Sequence, residues 1–67
     1  MTDNKELNRL IDKMCRYARV RFWKDVDGNI IRIQIEGASG IGTLPMPPIL
    51  AAEQMHAFLA SAKAKQE

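Results

Sequence analysis

One thiol and one imidazole, Cys15 and His56, head the short list of side chains that could do chemistry in this 67-residue chain. A nucleophilic serine, threonine or cysteine needs a base beside it and a third group to orient that base. On a helix the residues one turn from His56 are Ala52 and Ala60, so nothing local fixes its ring. A Cys15–His56 dyad would have to come from tertiary contact. The plainer reading is a helical cysteine at the edge of the core and an imidazole on the surface. A single cysteine excludes an internal disulfide and every multi-cysteine zinc pattern, and a single histidine excludes a histidine-rich metal site.

Asp25 and Asp27 are the best spaced carboxylate pair, but they flank the turn signal Asp27-Gly28-Asn29. A solvated turn gives neither the raised pKa of a general acid. The string from Asp25 to Asn29 lacks the length and closing glutamate of a calcium loop. Gly37, Gly40 and Gly42 are followed by Thr-Leu-Pro-Met-Pro-Pro, with none of the helix start or Lys-Ser/Thr that a phosphate loop requires. The expectation is no catalytic residue, no metal site and no cofactor.

Two stretches stand out instead. Lys13, Arg16, Arg19, Arg21 and Lys24 fall within twelve residues that contain one acid-free run from 13 to 24, with Tyr17 and Trp23 interleaved. Arg16, Arg19, Arg21, Trp23 and Lys24 are the candidate contacts for an acidic protein surface or for nucleic acid, where cations meet phosphates and an aromatic ring stacks on a base. A solvated face is the plainer account of the same run. The second stretch, Gly37 to Ala52, has no charged residue. Left exposed, Ile41, Leu44, Met46, Ile49 and Leu50 would form an apolar patch. They either close the core over the hairpin or line a protein interface.

The elements that must position these residues follow from periodicity. Leu7, Leu10, Ile11, Met14 and Ala18 keep helical spacing, predicting a helix over about 4–16, with Thr2, Asp3 or Asn4 as N-cap. Apolar and basic residues then alternate, as in a half-buried strand, and Ile30 to Glu36 form a second run. A hairpin over about 18–26 and 30–36 is expected. With Gly28-Asn29 at the tip, it pairs Val26 with Ile31, Phe22 with Ile35, Asp25 with Arg32 and Arg21 with Glu36. A turn at Asp27-Gly28, or a bulged turn, would slip this register. Residues 37–51 read as extended, with Thr43 to Met46 suited to a third, edge strand. Ala52, Met55, Phe58, Leu59 and Ala62 share one face of a final helix over about 52–65, with Glu53 in its first turn. The fold class is α+β, one small module with the C-terminal helix packed on the sheet.

So short a domain buries only about 60% of what its unfolded chain exposes, and without cross-links or metal it gains most from association. A homo-oligomer or a protein partner is therefore expected. The hydrophobic share of 46% beside 27% charged residues fits a folded domain, and the net charge of +2 is small. No apolar run reaches the ~20 residues of a membrane span, and the polar start lacks a signal peptide's apolar core. A cytoplasmic setting without membrane contact is expected. A hairpin between the helices excludes a helix-turn-helix, and the aromatic signature of an RNA-recognition sheet is absent. The leading functional expectation is a non-enzymatic interaction protein: an adaptor, inhibitor or regulator. Compact chains of this kind are common among phage and mobile-element accessory proteins, which is analogy only. The alternative is a nucleic-acid-binding regulator using the basic 13–24 run.

Overall fold

A computed structural model describes residues 4–65, with side chains described to residue 62. Helix α1 spans Asn4–Met14, strand β1 Arg19–Lys24, strand β2 Ile30–Glu36 and helix α2 Pro48–Lys65. The strands form a two-stranded antiparallel sheet, α1 packs on α2 and β1, and α2 packs on β2. This is the expected α+β arrangement of helix, hairpin and helix.

The core lies between the helices and one face of the sheet. Leu7, Leu10, Ile11 and Met14 enter it from α1, Ile30, Ile33 and Ile35 from β2, and Ala51, Ala52 and Met55 from α2. Ala38, Ile41 and Met46 close it from the connecting segment, and no polar or charged residue is buried among the described residues. Tyr17 meets Phe58 edge to face, with ring centroids 5.8 Å apart.

The register differs from the one expected. Val20 faces Ile35, Phe22 faces Ile33 and Trp23 faces Arg32, while Arg21 lies opposite Gln34 and Arg19 opposite Glu36. Both anticipated charge pairs, Asp25 with Arg32 and Arg21 with Glu36, are therefore lost. The turn explains why. A two-residue tip at Gly28-Asn29 would close the hairpin between Asp27 and Ile30, whereas the backbone closes it between Asp25 and Asn29. The chain instead uses a three-residue loop. Asp25 N–H donates to Asn29 C=O at 2.9 Å, and Gly28 N–H donates to Asp25 C=O at 3.1 Å. Gly28 takes the left-handed conformation at φ 84°, which completes a turn followed by a glycine bulge. The Asp25 carboxylate reinforces it, its Oδ1 accepting from the N–H groups of Asp27 and Asn29, both at 2.9 Å.

A second irregularity sits just before the tip. Between Trp23 and Lys24 the partner residue jumps from Arg32 to Ile30, so β2 carries one extra residue, Ile31. The insertion resets the alternation. Ile30 shares the buried side with Ile33 and Ile35, and Ile31 is left 52% exposed.

Helix α2 begins at Pro48, four residues before the expected start at 52. Proline lacks the N–H that the first helical turn cannot use, and its fixed φ suits that position. The Pro47 carbonyl takes the first helical bond, from Ala51 N–H at 2.9 Å. Ile49 and Leu50 are thus helical rather than extended, and Glu53 lies beyond the first turn, which holds no acid. The anticipated third strand shrinks to one bridge, in which Ile33 and Met46 exchange both backbone bonds at 3.0 and 2.8 Å. Helix α1 stops at Met14, two residues short of expectation. Arg16 and Tyr17 N–H donate to carbonyls three residues back, tightening the chain out of the helix. Thr2 and Asp3, two of the three candidate N-caps, lie outside the described residues. Asn4 turns its side-chain amide to the hairpin. Its Nδ2 donates to Gly28 C=O at 3.1 Å and lies 3.3 Å from Asn29 Oδ1, and its Oδ1 accepts from Ile30 N–H at 3.2 Å.

Candidate binding face

Because side chains alternate along a strand, every residue of the hairpin that does not face the helices is presented together. On this outer face Arg19, Arg21 and Trp23 come from β1, and Arg32, Gln34 and Glu36 from β2. Neighbours along β1 stand about 6.7 Å apart, and the pairs Trp23–Arg32, Arg21–Gln34 and Arg19–Glu36 lie directly opposite one another. Trp23 is 41% exposed among these arginines. No carboxylate of the described residues lies in ion-pair range of Arg19, Arg21 or Arg32. Their charge is therefore available to a partner. Gln34 is engaged, its Nε2 donating to Thr43 C=O at 2.9 Å, which straps the connecting segment to the sheet.

The structure divides the basic candidates. Arg19, Arg21 and Trp23 share the outer face, whereas Lys24 lies on the other side of the strand with its Nζ 5.6 Å from the centroid of the Phe22 ring. Arg16 sits in the turn after α1, beside a depression that Leu10, Tyr17, His56 and Leu59 also line. Arg32 is not among the expected site residues. The sign that could have found it is its place at alternate spacing in the clear run from Ile30 to Glu36, which puts it on the face of the arginines of β1 in the observed register.

The apolar candidates also divide. Ile41 and Met46 are buried in the chain's own core, while Leu44, Ile49 and Leu50 are exposed, Leu44 to 77%. Leu44 lies beside Ile31, Arg32, Pro45 and Pro47 around a shallow depression. One edge of the basic row therefore borders an apolar ledge formed by two residues, Ile31 and Leu44, that the chain does not use internally.

His56 is paired with Glu6, Nε2 to Oε1 at 3.2 Å, across the two helices. No hydrogen bond joins it to Cys15 among the described residues, and Cys15 is exposed. The depression next to His56 is lined by no serine, threonine or cysteine. Among the described residues no group of three or more His, Cys, Asp and Glu side chains could hold a metal ion, and no helix is long and apolar enough to cross a membrane. No protein-family model, no curated protein and no solved structure matches the chain.

Proposed function

We propose that this chain is a non-enzymatic interaction protein that acts by covering an acidic surface of another protein with the outer face of its hairpin. The observation that supports this reading is the adjoining of two unlike features. Unpaired Arg19, Arg21 and Arg32 surround an exposed Trp23 and run directly into the apolar ledge of Ile31 and Leu44. Tryptophan and arginine are the residues that most often dominate the energetics of protein interfaces, and an apolar neighbour excludes water from them. Adaptor, inhibitor and regulator are all roles such a face serves.

A second reading, a nucleic-acid-binding regulator, is favoured by the arginine row with an aromatic ring inside it, an arrangement that tracks phosphates and stacks bases. Salt separates the two. Phosphate-dominated affinity falls steeply with ionic strength, whereas an interface anchored by Trp23, Ile31 and Leu44 persists.

The test is affinity capture on immobilised wild type and on Trp23→Ala, Leu44→Asp and Arg21→Glu, each checked for folding by circular dichroism. The expected result is a stoichiometric protein partner, retained at moderate salt and lost in all three variants. Partners captured equally by all four chains would remove this face from consideration. Tight binding to generic DNA or RNA that disappears at moderate salt would favour the second reading.

A further inference from the structure

The free edge of β1 is a further surface that the fold leaves without a partner. β1 has a single neighbour, β2. Ile33 commits both backbone groups to Met46, so the facing pair Phe22–Ile33 is one that exchanges no bonds. In an antiparallel ladder such pairs alternate with bonded ones. Hence Arg19, Arg21 and Trp23 bond to β2, and the N–H and C=O groups of Val20, Phe22 and Lys24 point outward along the edge. Five of the six β1 residues are exposed and Val20 is half-buried, with Phe22 itself 41% exposed. The strand carries no proline, and of the usual blunting devices it has only its charges, Arg19, Arg21 and Lys24, which the pairing below engages.

We infer that the β1 edge pairs with the β1 edge of a second copy of this chain, antiparallel about a twofold axis at Phe22. The occupant is identified by complementarity. A Phe22-centred register uses the whole of β1 together with Asp25. On the outer face it sets Arg19 opposite Asp25 of the twin and Arg21 opposite Trp23 of the twin, a charge pair and a cation–π pair, each made twice by symmetry. On the inner face it stacks the two Phe22 rings and lays the stem of each Lys24 beside Val20 of the other copy. The Asp25 carboxylate is held in place, because its Oδ1 already accepts from two turn N–H groups. Neighbouring registers do worse. A shift of one residue towards the N-terminus sets Arg21 against Arg21. A shift the other way keeps a charge pair, Arg21 with Asp25, but shortens the ladder, because Arg19 and Val20 have no strand opposite once the chain departs into the turn after Asp25.

The pairing draws on part of the proposed binding face: it engages Arg19, Arg21 and Trp23 with the twin, leaves Arg32 and the ledge of Ile31 and Leu44 open, and joins two such faces side by side.

The experiment measures mass by sedimentation and residue-resolved amide exchange by NMR, on the full chain over a wide concentration range. The expected result is a dimer in which the amides of Val20 and Phe22 become protected as concentration rises. Arg19→Glu, which sets a second carboxylate against Asp25 at both ends of the pairing, is expected to weaken it at least about tenfold. A synthetic chain with an N-methyl group on Phe22 removes the outward donor while keeping every side chain and every bond to β2, and is expected to be monomeric and folded. A wild type that stays monomeric at millimolar concentration overturns the inference. So does a dimer insensitive to both changes, or one that Leu50→Asp abolishes while the Phe22 amide never becomes protected.

Discussion

The amide of Asn4 holds the hairpin tip against the start of α1 with bonds in both directions, accepting from Ile30 and donating to Gly28. Asn4→Ala leaves the partly buried Ile30 N–H without that acceptor, and a lost bond of this kind costs about 1 kcal/mol. The expected drop in melting temperature is about 4–8 °C, read by circular dichroism. Asp25 acts at the same scale through charge. Backbone N–H donation, first from Asn29 and then from Asp27, holds its carboxyl below the ordinary aspartate range. A lowered folded pKa contributes stability above the unfolded value, near 4, and that contribution is lost as pH falls through the folded value. Asp25→Asn is therefore expected to be less stable than the wild type at neutral pH, with the gap closing below about pH 4. Denaturant melts of both chains across that range check it, and a gap that does not narrow on acidification contradicts the assignment.

At the scale of elements, the extra residue in β2 makes two nearby isoleucine positions behave oppositely. Ile33 is fully buried in the core, and Ile31 faces solvent. Ile33→Ala is expected to cost about 2–5 kcal/mol, enough to unfold so small a domain, while Ile31→Arg should stay within about 0.5 kcal/mol. Urea melts of the two variants compare them directly. This is also where the reading of the sequence stops short. Both helices, both strands and the buried faces of α1 and α2 follow from periodicity alone, because burial on one side leaves a repeat of 3.6 or 2 in the residue types. The register does not follow, since Asp27-Gly28-Asn29 suits two turns and only backbone dihedrals choose between them. The start of α2 escapes the pattern because prolines at 45, 47 and 48 signal extended chain until one of them is recognised as the first helical residue. The outer face is half legible: Arg19, Arg21 and Trp23 share its two-residue spacing, and the expected hairpin puts Arg32 on the same side but opposite Asp25; only the observed register sets it beside Trp23. Burial of Ile41 and Met46 depends on packing across the chain, and no local pattern marks them apart from Leu44.

For the whole molecule, the Glu6–His56 pair ties α1 to α2 where both side chains are about half exposed or more. Surface pairs contribute roughly 0–1 kcal/mol, so His56→Ala is expected to leave the melting temperature nearly unchanged, with α1 and α2 held by their apolar faces. A large loss in calorimetry would mean that the two helices depend on this contact. The two flanks of the sheet also have different prospects. Beyond β2 the connecting segment pairs its backbone with the sheet at Met46, and its prolines at 45, 47 and 48 have no hydrogen to donate. That flank is thus paired at its middle, with prolines on either side of Met46. A sheet whose only uninterrupted edge is β1 gives that edge to its twin, and no margin of comparable length is left for a third chain. Such a particle keeps one size as the solution is concentrated and does not grow into fibres.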